Sequence, residues 1–148
     1  MLATHTEPTI HLPTSYRLER LADCWDELCT LARSIDPTYD LHEPSFRALD
    51  AAGALRIWTA RRQTLIGESM WCIAPNPFHA GILQAQQLSL AVAPEARLST
   101  VALCLIRMAT KALDAEGIRH QVVSGPKTMG TMAVRLGFHA EHTTYLKD

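Results

Sequence analysis

The chain of 148 residues holds seven glycines, and none of them lies between Gly81 and Gly117. A glycine-rich phosphate loop is therefore excluded from that stretch, and with it the usual signature of a nucleotide-binding module. No apolar run approaches the ~20 residues of a membrane span, and the first twenty residues lack a basic segment followed by an apolar block. The expectation is a soluble protein that engages no membrane. Charge is scarce and balanced, at a formal net of −1, which argues against a nucleic acid or another polyphosphate as the main partner. Arg61-Arg62 is the one basic pair to single out, and it reads as a solvated turn. The four cysteines, Cys24, Cys29, Cys72 and Cys104, form no Cys-x-x-Cys pair. They read as reduced core thiols of a cytoplasmic protein. His139 and His142 have no third ligand at suitable spacing, so no metal is expected.

What is present suits one packed domain. Hydrophobic residues make up 47% of the chain, enough for a core at this length. Residues 1–15, with threonines, two histidines, Pro8 and Pro13 and no period, predict an extended arm in front of a single domain over residues 16–148. Tyr16-Arg17-Leu18 suits a first strand. Leu21, Trp25, Leu28, Ala32 and Ile35 recur on one helical face, ended by Asp36-Pro37. Pro44 opens a second helix with Phe46 and Leu49 inward and Gly53 as its stop.

Three strands are predicted next, over residues 55–60, 65–74 and 83–93, the first two joined by a polar turn at residues 61–64. Within the third, Gln84 and Gln86 share one face, while Gln87, Ser89 and Ala91 share a face one residue out of step. That slip predicts a β-bulge at Gln86-Gln87. Val101, Leu105, Met108 and Ala112 mark a long helix from about Thr100 to Glu116. A strand over residues 118–124, a short helix ending at Gly137 and a closing strand over residues 138–146 complete the chain. The expected architecture is α/β: a twisted mixed sheet with helices on both faces, in the order β-α-α-β-β-β-α-β-α-β.

That order, together with Pro94-Glu95-Ala96-Arg97 ahead of the long helix and Arg135-Leu136-Gly137-Phe138 near the end, resembles the GCN5-related N-acetyltransferases. Residues 49–53 leading into residues 57–61 also look like compact members of that family carried by bacteriophages. The resemblance implies an N-acetyltransferase that uses acetyl-coenzyme A as substrate and an amine as acceptor, by direct attack and without a metal. It implies that the backbone of Leu90, Ala91 and Val92, on the bulged strand, takes the pantetheine arm. Arg97, Ser99, Thr100, Val101 and Ala102 would then meet the pyrophosphate, where the first amides of the helix have no internal partner. Thr100 stands where the family pattern has glycine, and a β-branched residue narrows the backbone's approach to phosphate. Ser99 or Thr100 would donate a hydroxyl there, or serve only as an N-cap. Arg97 is either a phosphate clamp or a solvated arginine.

The catalytic roles are thinner. The family's tyrosine, four residues before the glycine that ends the last helix, is replaced by Ala133. Tyr145 on the final strand could supply the acid, or be a half-buried strand residue. Glu68 and His79 are the candidate bases, the first otherwise a strand carboxylate and the second a loop histidine. A second expectation follows from the glycine-free loop and the missing tyrosine: a catalytically silent protein of the same fold, acting as an interaction partner or virion component. The arm, through Ile10, Leu12 and its prolines, would lie along a second copy or another protein, in the host cytoplasm or the virion, or else fold back over its own domain.

Overall fold

A computed structural model of the chain describes residues 12–124 and 132–140. Five strands form one sheet in the order β1-β2-β3-β4-β5: β1 (Ser15–Glu19), β2 (Leu55–Arg62), β3 (Thr64–Pro75), β4 (Leu83–Val92) and β5 (His120–Val122). Neighbours are antiparallel from β1 to β4, and β5 runs parallel to β4. Three helices accompany them: α1 (Leu21–Ile35), α2 (Glu43–Ala51) and α3 (Val101–Ala115). This is the mixed α/β sheet that the sequence predicts as far as residue 124. Residues 132–135 form a helical turn that ends at Gly137, where φ is +89°. The expected closing strand and Tyr145 reach into residues outside the described ones, and so does most of the expected arm.

The helices take opposite faces of the sheet. Arg61 of β2 reaches Glu27 of α1, whereas Arg56, five residues earlier and so on the other face, reaches Glu116 at the end of α3. α2 leans on α1 through Trp25 and Phe46, whose ring centres lie 5.7 Å apart. The buried stripe of α1 is Leu21, Cys24, Leu28 and Leu31, with Trp25 turned toward α2. On α3 the stripe is Val101, Leu105, Ile106, Ala109 and Leu113, so Met108 and Ala112 flank the contact rather than lead it. Each stripe is about 100° wide, and an aliphatic list alone does not say which edge faces the sheet.

Two local departures matter for the site. The β2–β3 hairpin turns on Gln63 alone, at φ +71°, so Arg61 belongs to the strand rather than to a solvated turn. Its side chain is 13% exposed and ion-paired with Glu19 and Glu27, which supply the counter-charge that burial demands. The bulge in β4 is real but sits one residue later than expected. Met70 pairs with Ser89 and Trp71 with Gln87, leaving Leu88 as the extra residue. Gln87 consequently faces the side of Ser69 and Trp71, opposite to Ser89 and Ala91.

Candidate active site

The bulge divides β4 into two halves with different neighbours. Gln84, Ala85 and Gln86 pair with His120, Gln121 and Val122 of β5, and the ladder stops there. From Ser89 to Val92 the strand remains bonded to β3, but its outer edge has no strand partner among the described residues. A strand edge of this kind offers alternating amide and carbonyl groups to any extended polar chain laid beside it. Leu90, Ala91 and Val92 are all half-buried on that edge.

At the end of β4 the chain passes through Ala93 and a short 3-10 turn, Pro94–Ala96, into α3. Thr100 holds the N-cap position, but its side chain makes no capping bond. Ser99 does that work instead, its hydroxyl accepting from the Val101 amide at 3.3 Å and donating to the Ala96 carbonyl. The amides of Ala102 and Leu103 are next in the first turn, where a helix has no acceptor of its own. Arg97, Ser99 and Thr100 are exposed beside them. Gly67 sets how closely this helix start approaches the sheet. A Cβ there would meet Val101 Cγ1 at 3.0 Å and Leu105 Cδ1 at 3.1 Å.

Next to Gly67, on the opposite face, stands Glu68. Registers place Arg17, Thr59, Glu68 and Ala91 in one row across four strands. Glu68 is 3% exposed. Its Oε1 accepts from the Ser89 hydroxyl at 2.7 Å, and its Oε2 has no hydrogen-bond partner among the described residues. Burial pushes its pKa up to about 7, with the Ser89 hydrogen bond pulling the other way. A carboxyl poised near neutrality suits proton exchange with an amine.

The adjacent row on the same face, Glu19, Ile57, Met70 and Ser89, carries a second carboxylate with the opposite balance. Glu19 accepts from the Thr59 hydroxyl and from Arg61, whose Nε lies 2.8 Å away. Burial would raise its pKa, but the hydrogen bonds from Arg61, Thr59 and Arg17 outweigh it and hold Glu19 at about 2. Glu27 is likewise lowered, chiefly by its bond to Arg61, and also accepts from the Leu65 amide. This cluster locks α1 to the β2–β3 hairpin and stays ionised.

His79 lies elsewhere. It is exposed in the β3–β4 loop, beyond Pro75 and so about 23 Å along the strand from Glu68, at ~3.3 Å per residue. The structure thus brings Glu68, Ala91 and the start of α3 to one end of the sheet and leaves His79 at the other. Tyr145 lies outside the described residues. Sequence reasoning named neither Ser89 as a partner of Glu68 nor the Glu19–Thr59–Arg61 cluster, because both depend on cross-strand register.

No protein-family model matches the chain, and no curated protein sequence does either. Solved structures do match. A Trypanosoma brucei acetyltransferase superposes with a TM-score of 0.76 at 14% identity, covering 92% of this chain and 99% of that one. Glucosamine-6-phosphate N-acetyltransferase from Arabidopsis thaliana gives 0.76 at 9% identity, over 92% and 98%. The fold is that of the N-acetyltransferases. A predicted acetyltransferase with acetyl-CoA from Clostridium acetobutylicum, at TM-score 0.71 and 14% identity over 92% and 96%, has the same architecture.

On this acetyltransferase fold two of the four cysteines, Cys24 and Cys29 of α1, are held as thiols. Burial pushes the Cys24 thiol up to about 12 and raises that of Cys29 as well. Neither is an activated nucleophile. Among the described residues no three His, Cys, Asp or Glu side chains gather closely enough to hold a metal ion, and no helix is long and apolar enough to cross a membrane.

Proposed function

We propose that the chain is an N-acetyltransferase that takes acetyl-coenzyme A along the free edge of β4 and passes the acetyl group directly to an amine. The observation that carries this reading is the conjunction at one end of the sheet: an unpaired strand edge, an open helix start and a buried carboxyl poised near neutrality. The edge at Leu90, Ala91 and Val92 suits the amides of a pantetheine arm. The amides of Ala102 and Leu103, with Arg97 and the Ser99 and Thr100 hydroxyls beside them and Val101 packing the helix start onto the sheet, suit a pyrophosphate. The structural neighbour from Clostridium acetobutylicum, solved with acetyl-CoA, supports that choice of substrate.

Glu68 is the base in this reading. It takes a proton from the incoming ammonium, and the freed amine attacks the thioester carbonyl. The C–N bond forms, the C–S bond breaks, the attacking nitrogen gives up a second proton, and the departing thiolate takes one up to become the thiol. His79 is too far along the sheet to share the step, and Tyr145 remains the candidate acid to the thiolate. Cys24 and Cys29, held as thiols, favour direct transfer over an acyl-enzyme.

One observation favours the second reading, a silent domain kept for docking. Ser99 already occupies the Val101 amide, which removes a donor from a helix start whose N-cap is Thr100 rather than glycine. In that reading the phage-like residues 49–61 point to a virion or host-side partner met through the N-terminal arm. Titration calorimetry with acetyl-coenzyme A separates the two. Micromolar binding supports the enzyme; no heat and no rise in melting temperature at millimolar ligand would sink it.

A further inference from the structure

We propose that Ser89 is the group that meets the amine, relaying its proton inward to Glu68. The inference rests on the acetyltransferase reading above and adds to it a residue and a route. Three facts of geometry carry it. Glu68 is buried beyond direct reach of a substrate, with Oε1 held by the Ser89 hydroxyl at 2.7 Å. Ser89 is half-buried, less enclosed than the carboxyl it bonds. And Ser89 is the first residue after the bulge at Leu88, at the start of the β4 segment that has left β5.

The bulge decides which way this hydroxyl points. Without the extra residue, position 89 would share the face of Gln87, whose Nε2 donates to Ser69 Oγ at 3.2 Å on the α3 side. With it, Ser89 crosses to the face of Glu68 and Met70. The bulge therefore does two things at once: it ends the pairing with β5 and it aims a hydroxyl at the buried carboxylate.

The proton balance is simple. The ammonium gives a proton to Ser89 Oγ as the Ser89 hydroxyl gives its own to Glu68 Oε1. The products are a neutral amine, an unchanged serine and a protonated Glu68, which returns its proton by the same path after transfer. Glu68 Oε2 takes no part, and no charged side chain contributes to the carboxyl's titration among the described residues.

Two nucleophiles test the relay, with thiol release from acetyl-coenzyme A as the readout. Ethylamine is an ammonium at pH 7 and needs the base; hydroxylamine is already neutral and does not. Ser89→Ala should lower kcat with ethylamine about 10²-fold, the lower range of what positioned acid–base groups contribute, leaving hydroxylamine unaffected. Ser89→Thr, which keeps the hydroxyl, should restore the ethylamine rate. Carbon-13 NMR of the Glu68 carboxyl gives a readout apart from turnover: its midpoint should rise in Ser89→Ala, because a bond favouring the carboxylate is gone. Equal losses with both nucleophiles, no loss with ethylamine, or an unmoved midpoint would overturn the relay. Absence of calorimetric acetyl-coenzyme A binding by the unsubstituted protein would overturn the underlying reading instead, and retained binding by Ser89→Ala shows the variant is folded.

Discussion

Replacing Glu68 by glutamine should flatten the alkaline side of the stability profile. Below pH 4.5 the carboxyl is protonated whether folded or unfolded, and its burial adds no pH dependence. Between 4.5 and about 7 the folded form still holds a proton that the unfolded chain has released. Unfolding then sheds a proton, so stability falls as pH rises, and the loss is complete above the folded value. At about 1.4 kcal/mol per pH unit, the interval from pH 5 to pH 8 accounts for about 2–3 kcal/mol.

Glutamine keeps the shape and can still accept from Ser89, but it does not titrate. The difference in unfolding free energy between the two proteins should therefore change by about 2–3 kcal/mol across that interval, in favour of the variant at the alkaline end. With a urea slope of about 2 kcal/mol per molar, the midpoints should separate by about 1 M more at pH 8 than at pH 5. A constant offset between the proteins is compatible with the argument, since the buried amide has its own unmet hydrogen-bonding cost. Parallel profiles would refute it, because Glu68 would then be ionising in the fold as easily as in the unfolded chain. Glu19 imposes the reverse dependence at the acid end. Its depressed value makes its contribution present above pH 4.5 and lost as pH falls toward 2, so both proteins should share that acid limb.

Arg61→Ala leaves Glu19 buried without its partner and should cost about 3–5 kcal/mol in urea unfolding, with the acid limb moving to higher pH; a loss below 1 kcal/mol would show that the cluster is solvated. Gly67→Ala puts a methyl within 3.0 Å of Val101 and 3.1 Å of Leu105 and should destabilise by about 1–3 kcal/mol while weakening acetyl-coenzyme A binding, since the start of α3 must move. Wild-type affinity in that variant would disconnect the helix start from the coenzyme. Arg97→Ala should weaken acetyl-coenzyme A binding by about 1.5–3 kcal/mol in calorimetry, as expected for a charged hydrogen bond to phosphate, and unchanged affinity would remove Arg97 from the site.

The elements were legible in the sequence because each leaves a one-dimensional trace. Pro44 and Gly53 bracket α2, Asp36-Pro37 stops α1, and the broken alternation in β4 announces a bulge. What the trace cannot carry is register. Whether Leu88 or Gln86 is the extra residue is decided by the ladder to β3, and that one step determines whether Gln87 faces Ser69 or the side of Glu68 and Ser89. Arg61 was misread for a related reason. A basic pair beside a predicted turn looks solvated until Glu19 and Glu27, about forty residues away in sequence, are placed against it.

The site's chemistry follows from that same dependence on long-range pairing. Glu19 and Glu68 are both glutamates with side chains largely out of water, in adjacent rows on the same face of the sheet. They titrate on opposite sides of the ordinary carboxylate range because one has a guanidinium and the other has a lone hydroxyl. Exchanging those neighbours would exchange their roles: a Glu68 beside an arginine would stay ionised and too weak a base for an ammonium. In the proposed reading, the β4 edge that is unpaired among the described residues would by itself make a binding groove. A carboxyl with no counter-charge beside it among those residues is what would turn the groove toward catalysis, and the cost of burying that carboxyl is the same free energy that the Glu68→Gln profile measures.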